Sequence, residues 1–286
     1  MRLLPLALAA IFALTVAAQC HEPDTRVVVF VQGLYTNLQD DGTQGNVLEE
    51  HRFETLKAAF RAKGYEDADL LDFSYAGGTV NIGGAWKPRN YDCEDTDRPT
   101  AANIAPLETM LRDYKEAHPD AHFALVGHSL GGYLSFIAGA RDAARPEEER
   151  LDIDVVVTFD APLRGVSADK KPILDAVPCD KTFQAVAELV AQKLDPNTAS
   201  ARAYQAIVMA QAGIRVATLG NVNDCLFNTN VCLGSGWADD SGTQFLDGLA
   251  AQSLSYALTA PPLQSHDAIV VDGLAVQDAV TFVGAP

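Results

Sequence analysis

The sequence predicts an α/β fold built on a mostly parallel, doubly wound sheet, and three observations support this prediction. Continuous β-branched runs, which are typical of strands buried on both faces, alternate along the chain with amphipathic helical runs. A Gly-x-Ser-x-Gly motif joins one of these strands directly to a helix. The 286 residues are sufficient for one large domain with a sizeable core. We therefore expect a single domain over residues 19–286, behind a targeting segment at residues 1–18.

The predicted strands share a short, apolar composition and are bounded by turn residues. They are Arg26–Val31, Asp69–Tyr75, Ala121–Val126, Ile153–Phe159 and Ile214–Leu219. The predicted helices share apolar residues at helical spacing. They are Val47–Lys63, a segment with Thr100 as its N-cap, Tyr133–Ala144, Phe245–Leu258 and Gly273–Val283. Because strands and helices alternate, most helices are expected to connect parallel strands.

Some connections are longer than this alternation requires. Residues 37–46 and 76–99 are predicted as polar loops, and loops as long as the second one are often functional. Residues 162–213 are helical in character, contain no predicted strand and exceed the length of one crossover helix. We expect this segment to form a helical cap over the carboxyl edge of the sheet.

The first residues have the pattern of an export signal. Arg2 precedes an apolar stretch, Leu3–Val16, and the small residues that follow predict cleavage after Ala18. No later run is long and apolar enough to span a bilayer, so we expect an exported protein, secreted or periplasmic, without an integral membrane span. A second interpretation is a lipoprotein signal that ends before Cys20, which would then carry a lipid anchor. Gln19 fits that pattern poorly.

Five cysteines are expected to be oxidised in pairs if the protein is exported. Cys225 and Cys232 are close in sequence and would close a small loop. Cys93 and Cys179 would then tie two long loops together, and Cys20 would be the spare thiol. Four cysteines allow three pairings, so the other two pairings stay open.

The charge balance restricts the class of binding partner. The chain has 21 basic and 38 acidic residues, a formal net charge of -17 at pH 7 and a pI near 4.6. A polyanion is repelled by nucleic acid and by anionic membrane surfaces, so a neutral small-molecule or lipid substrate is the expected partner. Metal-ligand motifs, a phosphate-binding P-loop and a dinucleotide fingerprint are absent from the sequence. We therefore expect no metal and no cofactor.

The Gly-x-Ser-x-Gly motif is Gly127-His128-Ser129-Leu130-Gly131, and it follows an apolar strand and opens a helix. A serine in such a tight turn projects its hydroxyl above the sheet, and the small flanking residues let strand and helix pack closely. In this position the motif resembles the nucleophile elbow of the α/β-hydrolase superfamily, in its lipase and esterase-like branch. Four further segments of the chain also resemble parts of the superfamily's sequence pattern: Val29–Leu34, Asp160–Gly165, the turn at Asp224 and the loop at His266.

The resemblance implies a Ser-acid-His order along the chain, with Ser129 as nucleophile. His266 is the implied base, because it is the only one of six histidines that follows Ser129. Asp224 is the implied acid, since it lies just past a predicted strand, and a Cys225–Cys232 bridge would rigidify its loop. Asp160 is the alternative acid, because it directly follows the preceding strand. A triad is defined by geometry, so both aspartates stay candidates.

The resemblance also implies an oxyanion hole made of backbone amides, from Leu130 after the nucleophile and from Leu34 after the first strand. One departure concerns Gln32, which stands where lipases usually have histidine. The implied activity is ester hydrolysis through an acyl-enzyme, as in an esterase or a lipase. The alternatives are an acyltransferase or thioesterase using the same three residues, and a non-catalytic binding protein on a hydrolase scaffold.

Overall fold

A computed structural model of the protein describes residues 26–39, 44–46, 53–170, 179, 182–224, 251–260 and 264–285. The predicted targeting segment lies outside the described residues, and so do Cys20, Cys225 and Cys232. Export, lipidation and the proposed Cys225–Cys232 bridge therefore stay predictions.

The core of the described structure is a sheet of six parallel strands. In chain order, these strands are β1 (Arg26–Val31), β4 (Leu70–Asp72), β7 (His122–His128), β8 (Ile153–Phe159), β9 (Arg215–Asn221) and β10 (Gln252–Tyr256). Two antiparallel hairpins lie outside the sheet: β2 (Thr36–Leu38) with β3 (Gln44–Asn46), and β5 (Gly78–Val80) with β6 (Trp86–Pro88). The order across the sheet is β10-β9-β8-β7-β1-β4, so the chain winds in both directions from β1.

Helices cover both faces of this sheet. Within the described residues, the α-helices are α1 (Glu54–Arg61), α2 (Thr100–Ala117), α3 (Leu130–Ala143), α4 (Gln184–Leu194), α5 (Thr198–Gln211) and α6 (Gly273–Gly284). One apolar core lies between the sheet and α2, α3 and α5, and a second lies between the sheet and α1 and α6. The strands are buried on both faces, which is why their sequences are continuously apolar rather than alternating. The predicted doubly wound α/β fold is confirmed.

The predicted helix Phe245–Leu258 is wrong over its described part. Residues 252–256 form β10, which pairs in parallel with β9 at the edge of the sheet. In this segment polar residues alternate with Leu254 and Tyr256, whose side chains pack partly against the second core. That alternation has the period of a half-buried strand, and the sheet edge selects it over a helix.

Three smaller expectations also differ from the structure. The predicted loops at 37–46 and 76–99 contain the two short hairpins, and the second also contains a 3₁₀ turn at Cys93–Asp97. The first predicted helix, Val47–Lys63, ends two residues earlier than predicted: its described part is α1, Glu54–Arg61, and residues 47–52 lie outside the described residues. Thr100 is the first residue of α2 instead of its N-cap, because its amide and its hydroxyl both donate to the carboxylate of Glu188 on α4.

The described part of the segment predicted as a cap contains two α-helices, α4 and α5, with different neighbours. Helix α5 packs against α3 and β9, so it is the crossover that leads into β9. Helix α4 contacts the 3₁₀ turn at Cys93–Asp97, and a disulfide joins Cys93 of that turn to Cys179. This is the pairing that the sequence predicted for these two cysteines, and it ties together positions 86 residues apart. Whether residues 162–213 act as a cap stays a prediction.

In the described part of the chain, no helix combines the length and the apolar character that crossing a membrane requires.

Candidate active site

The functional candidates come together at one edge of the sheet. Because the six strands are parallel, their carboxyl ends meet at the same edge. Ser129 follows β7, Asp160 follows β8, and Asp224 lies shortly after β9. His266 comes from the loop that leads from β10 to α6. The edge lies beside the point where the winding reverses, between β1 and β7, which is the usual location of ligand sites in open α/β sheets.

Ser129 occupies a strained turn between β7 and α3. Its backbone has φ 55° and ψ -126°, a combination that L-residues rarely adopt. The sheet stabilises this strained conformation, because the Ser129 amide donates a 2.8 Å hydrogen bond to the carbonyl of Phe159 at the end of β8. The residue is 7 % exposed, so the hydroxyl lies in a largely enclosed site. These features match the geometry of a nucleophile elbow.

The two flanking glycines are required by close backbone contacts. A methyl group on Gly127 would overlap the backbone of Gly131 and Gly132, on the other arm of the turn. A methyl group on Gly131 would overlap the carbonyl oxygens of Val31 and Gln32, at the end of β1. The start of α3 is therefore pressed against the loop that leaves β1, as the sequence motif predicts.

That loop, Gln32–Leu34, lies directly beside the serine. A methyl group on Gly33 would lie 2.9 Å from the Ser129 Cβ and 3.4 Å from its hydroxyl oxygen. The loop is fixed from two sides: the Tyr75 hydroxyl donates to the Gln32 carbonyl at 2.7 Å, and the Thr36 hydroxyl donates to the Gly33 carbonyl at 2.8 Å. The structure thus brings the residues around Leu34 next to the helix start at Leu130, where the oxyanion amides are predicted.

His266 and Asp224 form a short hydrogen bond. The Nδ1 atom of His266 lies 2.6 Å from Oδ2 of Asp224, and the two side chains are 12 % and 1 % exposed. Since a carboxylate only accepts, Nδ1 carries the hydrogen in the neutral imidazole and Nε2 presents its lone pair. The His266 ring centroid is 4.5 Å from that of His128, the neighbour of Ser129. The base candidate therefore lies beside the elbow.

His128 forms a hydrogen bond with the loop that carries His266. Its ring is fully buried, and its Nε2–H donates to the carbonyl of His266 at 2.9 Å. The same nitrogen is 3.9 Å from a carboxylate oxygen of Asp267. This hydrogen bond links the residue next to Ser129 to the backbone of the loop that carries His266.

Asp160, the alternative acid, is also at this site. It is fully buried at the end of β8, has φ 42°, and accepts a 2.7 Å hydrogen bond from the amide of Asn221 through Oδ1. Burial raises the pKa of the Asp160 carboxyl well above its usual range, and the negative charges of Asp224 and Asp267 raise it further. One oxygen from each of Asp160 and Asp224 and one nitrogen from His266 all lie within 4.8 Å of one another.

Asn221 also connects parts of the candidate site through hydrogen bonds, and the sequence did not indicate it as a site residue. Its amide group donates at 2.8 Å to the carbonyl of Ser265, next to the base candidate, and its backbone amide donates to Asp160. Its side-chain oxygen accepts from the amides of Asn223 and Leu258. Asn221 therefore joins the ends of three strands and the histidine loop. A fully buried asparagine at a strand end is a recognisable signal in a structure, but in the sequence it looks like an ordinary turn residue.

Two carboxylates and an imidazole are also a donor set that a divalent cation can use. In this arrangement, however, Nδ1 of His266 and Oδ2 of Asp224 bind each other, so a cation using those atoms would disrupt their hydrogen bond. The expectation that the protein works without a metal stays a prediction.

The parallel sheet, the strained serine turn and the histidine loop at the carboxyl edge define an α/β-hydrolase fold. In sequence, residues 100–179 match the family model described as lipase (class 3). The matched residues include α2, β7, the elbow, α3 and β8. No curated protein matches the chain significantly in sequence.

Several solved structures are similar in fold to this chain. A carboxyl esterase from Bacillus coagulans has 12% identity and a TM-score of 0.49, over 90% of this chain and 89% of that one. A lipase-esterase related protein from Clostridium acetobutylicum has 12% identity and a TM-score of 0.48, over 91% and 94%. Phospholipase PlaB from Legionella pneumophila has 9% identity and a TM-score of 0.46, over 72% of this chain. The match covers only 40% of PlaB.

Proposed function

We propose that the protein is an exported serine hydrolase that cleaves carboxylic esters. In this proposal Ser129 is the nucleophile, His266 the general base and Asp224 the acid that orients it. The observation that carries the proposal is the 2.6 Å hydrogen bond between His266 Nδ1 and Asp224 Oδ2, placed beside a strained serine turn. A buried carboxylate that fixes the histidine tautomer is what activation of a serine hydroxyl requires.

The chemistry follows from this arrangement. His266 Nε2 accepts the hydroxyl proton of Ser129 as the serine oxygen attacks the ester carbonyl, and Asp224 stabilises the imidazolium that forms. The oxyanion is stabilised by amides at the start of α3 and in the loop after β1, the positions of Leu130 and Leu34. The tetrahedral intermediate then collapses, and His266 returns the proton to the departing alcohol. Water repeats the sequence on the acyl-enzyme and releases the carboxylic acid.

Two further features support parts of this proposal. The net charge of -17 favours a neutral ester over a strongly anionic substrate. The Cys93–Cys179 disulfide is the kind of cross-link that persists in oxidising compartments, which supports export. Such a cross-link stabilises a domain by about 2–4 kcal/mol, mainly by restricting the unfolded chain.

Hydrolysis of chromogenic esters tests the activity directly. Purified protein is expected to release p-nitrophenol from p-nitrophenyl esters, and a series from acetyl to palmitoyl chains separates an esterase from a lipase. The same protein unfolded in denaturant is the control, because exposed histidines hydrolyse activated esters slowly. If no acyl chain length gives release above this control, the ester hydrolase proposal is wrong.

A further inference from the structure

Two carboxyl groups meet inside the fold at the ends of neighbouring strands. Asp160 ends β8 and is fully buried, and Asp224 follows β9 with its side chain 1 % exposed. Oxygens of the two groups lie within 4.8 Å of each other and of a nitrogen of His266. Two carboxylates this close and this well shielded from water repel each other strongly if both are ionised.

The hydrogen bonds around the pair distinguish the two aspartates. Asp224 Oδ2 accepts from His266, so the ionised form of this carboxyl is stabilised. Asp160 accepts from the amide of Asn221 through Oδ1, but Oδ2 is buried and has no hydrogen-bond partner among the described residues. A buried carboxylate oxygen without a donor is costly, whereas a protonated oxygen at the same place becomes a donor itself.

The charges that face Asp160 also favour its neutral form. Asp224 lies on the loop after β9, and Asp267 lies on the histidine loop; both act on Asp160 as negative charges. Among the described residues, His266 and His128 are also titratable groups at this end of the sheet, and both make hydrogen bonds to other atoms. Desolvation acts in the same direction as the two anions, because it disfavours the charged carboxylate.

We infer that the Asp160–Asp224 pair carries one proton at neutral pH, held on Oδ2 of Asp160. Asp160 is then a positioning residue: because its carboxyl is neutral, the pair presents one negative charge, that of Asp224, to orient His266. The catalytic part of this inference rests on the proposed function. The proton itself does not, because it follows from burial and hydrogen bonding alone.

Protonation of Asp160 has a measurable consequence for folding. In the unfolded chain the carboxyl titrates near pH 4, whereas in the folded protein it keeps its proton to higher pH. Folding therefore takes up a proton, so the stability that this proton provides is fully present below about pH 4 and is lost as the pH rises toward the folded-state pKa. Asp160→Asn has no such titration, and its amide can replace the protonated oxygen as a donor.

The test is denaturant unfolding of the wild type and of Asp160→Asn between pH 5 and pH 7. The unfolding constant of the wild type, divided by that of the variant, is expected to rise about tenfold per pH unit, or about a hundredfold over this range. A ratio that stays constant from pH 5 to pH 7 would show that Asp160 is ionised in the folded protein, and it would overturn the inference. Enzymatic activity does not enter this measurement, so its outcome is independent of the proposed function.

Two further readouts do not depend on the stability of the variant. In wild-type protein with ¹³C-labelled aspartate carboxyls, one resonance is expected to remain in the protonated form through pH 7; titration of every aspartate below pH 5 would contradict this. Given the proposed activity, the acidic limb of the kcat/KM profile reports His266. Asp160→Asn is expected to leave the pKa of that limb in place, because it replaces a neutral group. If Asp160 were ionised, removing its charge would lower that pKa.

Discussion

Replacing Ser129 with alanine is expected to lower kcat for ester hydrolysis by about six orders of magnitude. The reason is that the hydroxyl is the atom that forms the acyl-enzyme, and no neighbouring group can take its place in the elbow. The backbone at φ 55° is already imposed by the contacts of the turn, so the substitution removes one oxygen without adding a new constraint. KM and the unfolding transition are expected to change little.

Ser135→Ala is the matched control for this change. Ser135 is a fully buried serine on α3, and its hydroxyl donates at 2.8 Å to the carbonyl of Gly131. Its loss is expected to cost about 1 kcal/mol of stability and to leave turnover intact. If Ser129→Ala retained turnover comparable to Ser135→Ala, another group would have to be the nucleophile.

Replacing Asp224 with asparagine is expected to lower kcat by about four orders of magnitude while the fold is kept. An amide in place of the carboxylate no longer stabilises the imidazolium, and it allows the tautomer in which Nε2 carries the hydrogen and cannot accept the serine proton. The effect is measured as kcat at a pH above the acidic limb, with circular dichroism to verify that the variant is folded.

A control of the same chemical type is Asp272→Asn. Asp272 caps α6 by accepting 3.0 Å hydrogen bonds from the amides of Leu274 and Ala275, and asparagine performs this role equally well. Comparison with Asp160→Asn decides between the two acid candidates. A larger loss of kcat in Asp160→Asn than in Asp224→Asn would transfer the acid role to Asp160.

The sequence predicted those elements well whose hydrophobic pattern is determined by burial. The strands Arg26–Val31 and Ile153–Phe159 are buried on both faces, and their observed bounds equal the predicted ones. The edge strand β10 was missed because an edge position is a tertiary property, and its short alternation of serines with Leu254 and Tyr256 was outweighed by apolar residues earlier in the predicted helix. Thr100 was misassigned as a cap because its partner, Glu188, is 88 residues away.

The residues of the candidate site were also predicted in part from the sequence. Chain order and strand ends were sufficient to nominate Ser129, His266 and two aspartates, and the structure brings them to one edge of the sheet. Sequence could not rank the aspartates by geometry, because each directly or closely follows a strand. The hydrogen bond from His266 favours Asp224, and it could not be derived from the sequence because it depends on how the loop after β10 folds back over the sheet. The same holds for Asn221, whose contacts with Asp160, Leu258 and Ser265 come from segments distant in the chain.

Labelling with a fluorophosphonate tests the central claim most directly. These reagents phosphonylate serine hydroxyls that are activated by a neighbouring base: a bond forms between the serine oxygen and phosphorus, fluoride leaves, and the hydroxyl proton passes to the base. A single adduct per chain is expected, located on Ser129 by peptide mapping, and no adduct is expected in Ser129→Ala. A folded wild-type protein that gains no adduct, or gains it on a residue other than Ser129, would contradict the assignment of Ser129 as an activated nucleophile.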